Sequence, residues 1–376
     1  MSKEFSYWEY ASYLKGIDVL IIGGGIVGMS AALHLKRKSP KARVVVVERD
    51  PFSAGASTKN AGFACFGSPT ELLDDLEIMS EDEVLGLVER RFCGLNYLRE
   101  LLGEKEIDYQ ASGGIELFAP NDNDSWSNTV EKLDYLNRIL FEITKSETYK
   151  VLSEIPAWKG KVRFTKGIVN VLEGAIDTGK MHRRFSDLLR SESVEFFHGM
   201  NVKSIEEVSD GVEVNWGNGY SKVSQVFVCT NAFAKQLVPS LDVRPARNQV
   251  IVTAPVEGIP DQGTFHYDKG YVYFRPIHGR ILLGGFRHMD RLTESTDEFG
   301  LTDTIQRMLE AFLYEYLAPE TTPIEYRWSG ILGLGPDKTT IVKSVSPRIH
   351  VGVRMGGMGV AIGSEIGREL SKLWIC

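Results

Sequence analysis

The sequence predicts an α/β fold in which a largely parallel sheet is interleaved with a second, antiparallel sheet. A strand–turn–helix–strand unit near the N-terminus predicts the parallel sheet. Blocks of short strands later in the chain predict the antiparallel one. The chain has 376 residues, more than one hydrophobic core usually organises, so we expect two structural units.

The N-terminal unit contains the clearest local signals. The apolar run Asp18–Ile22 is bounded by glycines, as expected for a strand buried on both faces. A glycine turn follows, and residues Ile26–Lys38 then predict a helix that ends before Pro40. The valine-rich segment Arg43–Glu48 predicts the second strand. Together these segments predict one β–α–β unit.

Weaker patterns extend the prediction to the rest of the chain. Helical patterns cover residues 71–102, 126–144, 177–190 and 302–317, and a closing helix ends near residue 373. Strand patterns cover residues 113–119, 194–230 (with a last strand at 225–229), 247–286 and 348–353. Turns such as Ser209-Asp210-Gly211 make residues 194–230 typical of a β-meander. Since no long linker separates these segments, we expect two intertwined domains.

The composition excludes several classes of protein. Hydrophobic residues make up 43% of the chain and charged residues 25%, as in ordinary soluble globular proteins. The net charge of −7, without a basic stripe, argues against nucleic-acid binding. No apolar run is long enough to span a bilayer, and residues 1–16 do not show the pattern of a secretory signal. We therefore expect a cytoplasmic protein without a transmembrane segment.

The cysteines and histidines do not predict a metal site. Four cysteines lie far apart without a C-x-x-C motif, which is typical of reduced thiols that serve in packing: Cys65, Cys93, Cys229 and Cys376. Seven histidines show neither metal-ligand spacing nor a Ser–His–Asp arrangement: His34, His182, His198, His266, His278, His288 and His350. We expect the histidines to be structural or surface residues, and no bound metal.

Gly23, Gly25 and Gly28 form a G-x-G-x-x-G motif between the first strand and the first helix. The first glycine permits a tight turn, the second lets a pyrophosphate approach the backbone, and the third permits close packing of helix on strand. Glu48 follows Gly28 by about 20 residues, a position suited to hydrogen bonding with a ribose. These features predict a dinucleotide cofactor. A turn that is required only for packing is the alternative.

Two further segments favour FAD over NAD as that dinucleotide. The loop of residues 55–62 is small and polar and follows the second strand, so it can lie along a long cofactor. Residues 356–359 are glycine-rich and open a helix near the C-terminus. A helix N-terminus suits the negative charge that develops on a reduced flavin. Taken separately, each glycine cluster is also consistent with an ordinary loop or cap.

From Asp18 to about Leu373 the chain resembles the D-amino-acid-oxidase-like FAD-dependent oxidoreductases, which include glycine and sarcosine oxidases. The resemblance implies a Rossmann-type, glutathione-reductase-like FAD-binding domain. It rests on residues 23–28, 48–49, 57, 60–62, 228–233, 273–276, 279–280, 283–285 and 357–360. The positions that it implies for FAD binding are Gly23, Gly25, Ile26, Val27, Gly28, Glu48, Arg49, Ser57, Thr58, Asn60, Ala61, Gly62, Val202, Thr230, Asn231, Ala232, Gly357, Met358, Gly359 and Val360. Residues 230–233 are most similar to the amine-oxidising branch, such as the gamma-glutamylputrescine oxidoreductases.

The resemblance also implies a domain organisation and a reaction. The FAD-binding domain would comprise residues 1–85, 165–242 and 326–376, and the substrate domain residues 86–164 and 243–325. The protein would oxidise a C–N bond of a small amine or amino-acid-like substrate by hydride transfer to flavin, giving an imine. Oxygen or an electron carrier would then reoxidise the flavin. The alternatives are a 2-hydroxy-acid dehydrogenase on the same fold and a non-catalytic flavin-binding sensor or scaffold.

Two departures from the family's pattern bear on the expected substrate and on how the flavin is attached. Members that act on simple α-amino acids often carry Ala-Gly-Leu-Arg-Pro before the last strand, where the arginine binds the substrate carboxylate. Here the aligned residues are Ser329-Gly330-Ile331-Leu332-Gly333, so Leu332 replaces that arginine and a simple amino-acid substrate is less favoured. Sarcosine-oxidase-like members attach the flavin through a cysteine in this region. Because no cysteine is present there, we expect FAD to be bound non-covalently.

Three residues of one expected strand are candidates for substrate binding. Tyr271, Tyr273 and Arg275 alternate with apolar residues, which in a strand places their side chains on one face. The resemblance places Tyr273 on the sheet that covers the flavin. Arg275 would then bind a remote carboxylate, and Arg354 is the second candidate for that role. An exposed edge strand without a specific role is the alternative.

Overall fold

The computed structural model describes residues 5–375. The α-helices are α1 (Tyr7–Glu9), α2 (Ile26–Lys38), α3 (Ala56–Lys59), α4 (Pro69–Ile78), α5 (Glu81–Leu102), α6 (Asn123–Glu131), α7 (Leu133–Thr144), α8 (Thr178–Ser191), α9 (Asp303–Phe312) and α10 (Gly359–Ser371). Single π-helical turns lie at Tyr10–Leu14 and Leu313–Leu317, and 3₁₀ turns lie at Asn231–Gln236 and Arg287–Asp290. None of the helices in this described part of the chain is both long and apolar enough to cross a membrane.

The strands form two eight-stranded sheets and one two-stranded ribbon. In chain order they are β1 (Ile17–Ile22), β2 (Val44–Glu48), β3 (Phe63–Ala64), β4 (Gly114–Phe118), β5 (Tyr149–Val151), β6 (Lys166–Asn170), β7 (Gly174–Ala175), β8 (Glu195–His198), β9 (Ser204–Val208), β10 (Gly211–Asn215), β11 (Tyr220–Val228), β12 (Arg244–Thr253), β13 (Thr264–Tyr267), β14 (Val272–Ile277), β15 (Arg280–Gly285), β16 (Ile324–Leu334), β17 (Ile341–Ser346) and β18 (Ile349–Val353).

The first sheet is the expected parallel one. Its strand order is β17-β18-β11-β1-β2-β8, with β10 and β9 extending from β11. Strands β18, β11, β1, β2 and β8 run parallel to one another. Residues Val19 and Ile21 of β1 pack into the core beneath α2, α8 and α10, whereas Leu20 and Ile22 pack into the core on the opposite side. The first strand is therefore buried on both faces, as its unbroken apolar run predicts.

The second sheet is mostly antiparallel, in the order β16-β12-β15-β14-β13-β4-β6-β5. One of its faces packs against α9 through an aromatic and aliphatic core that includes Phe265, Phe274 and Phe312. The opposite face is turned toward the end of α3 and residues 60–63, and is called the inner face below. Its side chains include Asn248, Val250, Val252, Tyr273, Arg275, Leu282 and Trp328.

The chain passes back and forth between the two sheets. The expected domain boundaries at residues 165 and 326 fall at β6 and β16, and both of these strands belong to the second sheet. The boundary at residue 85 falls inside α5, whose residues Leu95 and Leu98 pack beneath the first sheet. The topology therefore favours boundaries after β6 and after β16, and the precise division into domains stays a proposal. Residues 1–4 and Cys376, at the ends of the expected domains, lie outside the described residues.

Several element predictions differ from the structure in detail. The helical stretch 71–102 forms two helices, because Ser80 and Glu83 form a capping box that starts α5. The stretch 126–144 also forms two helices, and they begin at Asn123 and Leu133. The strand expected at residues 225–229 begins at Tyr220, since its first half pairs with β10. Strand β8 is not part of a meander, because it pairs in parallel with β2.

Candidate active site

A pocket opens at the carboxyl ends of β1, β2 and β11. Its lining extends from the glycine turn after β1 to the start of α10, as a site for an elongated ligand such as a dinucleotide requires. Most of the residues predicted to bind the cofactor line it: Gly23, Gly25, Ile26, Val27, Glu48, Arg49, Ser57, Asn60, Val202, Thr230, Asn231, Ala232, Gly357, Gly359 and Val360.

The turn after β1 requires glycine at two of its positions. Gly23 has a φ of 112°, and a Cβ atom there would lie 2.7 Å from the carbonyl oxygen of Cys229. A Cβ atom on Gly28 would lie 2.0 Å from the carbonyl oxygen of Gly23. Gly28 itself does not line the pocket. Its role in the structure is the close packing of α2 against the turn, which is the role given to the third glycine of the motif.

The N-terminus of α2 is directed at the pocket. Gly25 is its N-cap residue and offers no side chain to the free N–H groups of the first turn. The N–H of Ile26 donates to Ser57 Oγ at 3.0 Å, which ties the helix start to α3. A Cβ atom on Gly25 would lie 2.8 Å from that same hydroxyl oxygen. The helix therefore presents its positive end and bare backbone to any anion bound there.

Glu48 is held in place at the end of β2. Its Oε2 accepts a hydrogen bond from the N–H of Gly24 at 3.1 Å, and its Oε1 accepts one from the N–H of Asp50 at 3.2 Å. The guanidinium carbon of the neighbouring Arg49 lies 4.0 Å from the centre of the Phe233 ring. These contacts fix the carboxylate beside the glycine turn while both of its oxygens retain further acceptor capacity.

Four more of the predicted residues shape the pocket without lining it. The Thr58 hydroxyl donates to the carbonyl oxygen of Ser53 and to that of Gly55. The N–H of Gly62, which has a φ of 74°, donates to Asn60 Oδ1 at 2.8 Å. The two remaining residues lie beside lining residues, in the loop after α3 and at the N-cap of α10: Ala61 and Met358.

The pocket contains polar atoms that have no protein partner. Ser53 Oγ and Thr230 Oγ1 are buried in its wall and have no hydrogen-bond partner among residues 5–375. A buried hydroxyl without a partner is costly, by about 1–3 kcal/mol, so a polar ligand is the expected source of the missing hydrogen bonds. The phosphates, ribose and ring carbonyls of FAD are ligand groups of this kind. The residues present therefore fit the expected cofactor.

His182 of α8 supports the glycine turn, a role that no sequence pattern predicts. Its Nε2 lies 2.9 Å from the carbonyl oxygen of Gly24, and burial lowers its pKa, so the neutral ring donates to that carbonyl. His182 thereby fixes the middle of the glycine turn from the helix beneath it. No local signal marks this histidine, because its partner lies far away in the sequence.

On the inner face, Tyr273 and Asn248 form a hydrogen-bonded pair. The Asn248 side-chain amide donates to the Tyr273 hydroxyl at 3.0 Å. The phenol ring lies over Gly284 of the adjacent strand, where a Cβ atom would lie 2.5 Å from the hydroxyl oxygen. The centre of the Phe63 ring, on the loop that follows α3, is 5.6 Å from the centre of the Tyr273 ring. The pair is therefore enclosed between the second sheet and the loop that leads from the pocket.

Arg275 is buried and faces the protein backbone. Only 5% of the residue is exposed. Its Nη1 donates to the carbonyl oxygen of Ile176 at 2.9 Å, to that of Gly62 at 3.0 Å and to that of Ala61 at 3.4 Å. These contacts favour a role in positioning the loop after α3 over the expected role in binding a substrate carboxylate.

Arg354 and Tyr271, the other two substrate-binding candidates, also have protein partners. Arg354 is 8% exposed, and its guanidinium pairs with Asp337 at 2.9 Å and donates to the carbonyl oxygen of Thr339 at 2.7 Å. Tyr271 precedes β14, and the centre of its ring is 4.3 Å from that of His288. Tyr271 and Tyr273 therefore have different neighbours, although their spacing predicts a shared face.

The position where related enzymes carry a carboxylate-binding arginine belongs to the pocket wall. Leu332 and its neighbour Ile331 both line the pocket. The side-chain oxygen of Asn231, beneath Gly333, accepts from the N–H of Arg354 at 3.0 Å and from that of Met355 at 3.2 Å. The Asn231 side chain thus joins the end of β11 to the end of β18, and the pocket wall in this region is apolar.

Comparisons with known proteins agree with this geometry. A family model described as FAD dependent oxidoreductase matches residues 18–373. The chain is 23% identical to the probable oxidoreductase OrdL of Haemophilus influenzae, with 96% of this chain and 83% of that protein aligned. It is also 23% identical to the gamma-glutamylputrescine oxidoreductase of Escherichia coli, over 95% of this chain and 83% of that protein.

Solved structures show the same fold. Glycine oxidase from Bacillus cereus superposes with a TM-score of 0.72 at 15% identity, covering 95% of this chain and 94% of that one. Iminodiacetate oxidase from Chelativorans sp. superposes with a TM-score of 0.71 at 20% identity, covering 94% of each chain. The family model spans nearly the whole sequence, and the chain therefore belongs to the D-amino-acid-oxidase-like family of FAD-dependent oxidoreductases.

Proposed function

We propose that this enzyme oxidises the C–N bond of a small amine, with the flavin as hydride acceptor and an imine as the product that water then hydrolyses. Bound FAD supplies the hydride-accepting chemistry, and the protein binds, orients and desolvates the substrate. The observation that carries the proposal is the Asn248–Tyr273 pair, an uncharged hydrogen-bonding group on the inner face, where the Arg275 guanidinium already donates to backbone carbonyls.

Three parts of the pocket are proposed to hold FAD. The N-terminus of α2, starting at Gly25, would bind the pyrophosphate, because it offers free N–H groups and the positive end of the helix dipole. Glu48 would accept hydrogen bonds from the ribose hydroxyls. The N-terminus of α10, which has no side-chain cap and starts at Gly359 beside the pocket, would face the negative edge of the flavin ring.

The Asn248–Tyr273 pair can satisfy both hydrogen-bonding sides of a neutral amine. Because the Tyr273 oxygen already accepts from Asn248, the phenol O–H is free to donate to the nitrogen lone pair as the amine binds, and it would release that pair as the C=N bond forms. Burial raises the pKa of Tyr273, which keeps the phenol protonated. Asn248 Oδ1 is buried and has no hydrogen-bond partner in the described part of the chain, so it can accept an amine N–H. The pair would thus orient the substrate nitrogen.

The surroundings of this pair favour an amine over a simple α-amino acid. A substrate carboxylate would require a buried cation with free donors. Leu332 occupies the position where the family resemblance implies a carboxylate-binding arginine. Arg275 donates to backbone carbonyls, and Arg354 pairs with Asp337. Because both guanidinium groups already have protein partners, we propose a substrate whose reacting carbon carries no carboxylate.

Analysis of the products under turnover tests this proposal and separates it from its rivals. Oxidation of a primary amine releases ammonia together with an aldehyde, whereas oxidation of a 2-hydroxy acid gives a keto acid without ammonia. Release of ammonia and aldehyde in equal amounts is the expected result for a panel of primary amines. Keto-acid formation from hydroxy acids would favour the dehydrogenase, and no product from either panel would favour a flavin-binding sensor or scaffold.

Two further measurements test the electron acceptor and the attachment of the flavin. Oxygen consumption with and without an added electron-accepting dye distinguishes oxygen from an electron carrier as the acceptor. Acid precipitation should release the flavin into the supernatant, because we propose non-covalent binding. Flavin that stays with the precipitated protein would contradict this proposal. Cys229 would then be the first attachment site to examine, because it lines the pocket beside the glycine turn.

A further inference from the structure

Cys65, Glu173 and His266 converge outside the FAD pocket. They lie just after β3, just before β7 and on β13, and all three are buried. One potential ligand atom from each side chain lies within 4.8 Å of the other two. Their wide separation in sequence explains why no metal-ligand spacing predicts the cluster.

Glu173 is oriented toward the cluster by the backbone. Its Oε1 accepts hydrogen bonds from the N–H of Phe66 at 2.7 Å and from the N–H of Gly67 at 2.9 Å. Its Oε2 faces the other way and lies 4.0 Å from His266 Nε2. Neither of these two facing atoms has a hydrogen-bond partner within residues 5–375. Both are thus fixed, buried and directed at the same point.

The electrostatics of the cluster match the binding of a divalent cation. Burial raises the pKa of Glu173 to about 8, lowers the pKa of His266 to about 4 and raises the pKa of the Cys65 thiol. Burial therefore disfavours charge on each of the three groups when no cation is bound. A divalent cation that displaces one proton from Cys65 and one from Glu173 into solvent leaves the buried cluster with the same net charge.

We propose that Cys65, Glu173 and His266 bind a single Zn²⁺ ion. Thiolate, imidazole and carboxylate together are a typical zinc donor set, and zinc ligands lie about 2.0–2.3 Å from the metal. Tetrahedral ligands at those distances lie about 3.5 Å from one another, so atoms at most 4.8 Å apart need to close by about 1.3 Å or less. The two atoms without hydrogen-bond partners become metal ligands, which explains why they are left unpaired.

The ion would hold the end of the FAD-binding loop against the second sheet. Phe63, two residues before Cys65, has its ring centre 5.2 Å from that of His266 and 5.6 Å from that of Tyr273. Zinc at this cluster would therefore fix the wall of the proposed substrate site without contacting the substrate. This role does not depend on the identity of the substrate.

The zinc content of the FAD-containing protein tests the proposal. Wild type, Glu173→Gln, Cys65→Ser and the control Cys93→Ser are incubated with zinc sulfate and desalted, and bound metal is measured by inductively coupled plasma mass spectrometry. Cys93 is exposed on α5 and suits a matched control. We expect about one zinc ion per chain in wild type and Cys93→Ser. We expect at least about tenfold less in the other two variants.

Glu173→Gln keeps an oxygen that can accept from Phe66 and Gly67, so its fold should survive, and its flavin content reports this directly. If both variants fail to fold, the absorption spectrum of wild-type protein loaded with Co²⁺ tests the proposal instead. Tetrahedral, thiolate-bound Co²⁺ absorbs strongly in the red, where oxidised flavin does not. Wild-type protein with neither bound zinc nor this cobalt absorption would overturn the proposal. Equal zinc in all four proteins, which indicates adventitious surface binding, would overturn it as well.

Discussion

The FAD pocket and the inner face differ in the groups that they offer to a ligand. The pocket offers backbone N–H groups at the glycine turn after β1 and at the starts of α2 and α10, beside side chains such as Glu48. The inner face offers side chains from four strands between residues 244 and 334, with Asn248 on β12 and Tyr273 on β14 at its polar centre.

This difference separates cofactor binding from substrate selection. Backbone N–H groups remain whatever the side chains are, so a substitution disturbs the pocket mainly by blocking it. On the inner face a single side chain supplies each hydrogen bond. We therefore expect pocket substitutions to lower FAD content and inner-face substitutions to lower kcat/KM while FAD stays bound.

The largest effect is expected for Gly25→Val. The new side chain would start 2.8 Å from Ser57 Oγ and fill the space at the helix N-terminus that a pyrophosphate must approach. The purified variant should lose its yellow colour, measured as the ratio of flavin to protein absorbance. Gly86→Ala on α5 is the control, because it lies outside the pocket and a Cβ atom there meets nothing within 4 Å. Stoichiometric FAD in Gly25→Val would show that the pyrophosphate lies elsewhere.

Arg275→Ala should destabilise the protein by about 3 kcal/mol, because it leaves buried backbone carbonyls without their charged donor. Denaturant unfolding of the FAD-bound protein measures this loss. Arg275→Lys should recover only part of the stability, since an ammonium cannot reproduce the guanidinium geometry. Unchanged stability together with a roughly 100-fold fall in kcat/KM would instead support a substrate-carboxylate role.

Glu48→Ala should weaken FAD binding by about 2 kcal/mol, roughly 30-fold in Kd, because a ribose hydroxyl loses its acceptor. Titration of the apoprotein with FAD, followed by flavin fluorescence, provides the measurement. Glu213→Ala, at an exposed position on β10, is the control for loss of a carboxylate. Equal Kd values for the two variants would indicate that Glu48 serves only the glycine turn.

Tyr273→Phe should have the smallest effect of the four, about a tenfold fall in kcat/KM with normal FAD content. The variant removes the hydroxyl that pairs with Asn248 and keeps the ring over Gly284. Tyr271→Phe, whose ring contacts His288, should change kcat/KM by less than about twofold. If both substitutions lowered kcat/KM equally, the proposed role of the Tyr273 hydroxyl in binding the substrate would be contradicted.

The same contrast explains what could be predicted from sequence. The unit β1–α2–β2 was predicted to within a residue, because its turn, helix and strands are encoded by adjacent residues. Most of the expected cofactor-binding residues line one pocket for the same reason. The family model confirms the fold and the dependence on FAD.

The inner face could not be predicted in this way. The alternation of polar and apolar residues predicts which face of the strand Arg275 lies on. It does not predict the partners of the guanidinium, which are the carbonyl oxygens of Gly62 and Ile176. Asn248 has no local signal at all, because strand pairing across the second sheet brings it to Tyr273. Such contacts depend on the register of distant strands, which a local pattern does not contain.

The most direct test of substrate selection is the rate of flavin reduction without oxygen. The enzyme is mixed anaerobically with a primary amine or with the α-amino acid that carries the same side chain, and loss of the flavin's visible absorption is followed. Because Arg275 and Arg354 already have protein partners, we expect the amine to reduce the flavin at least about tenfold faster. Faster reduction by the amino acid would contradict this account.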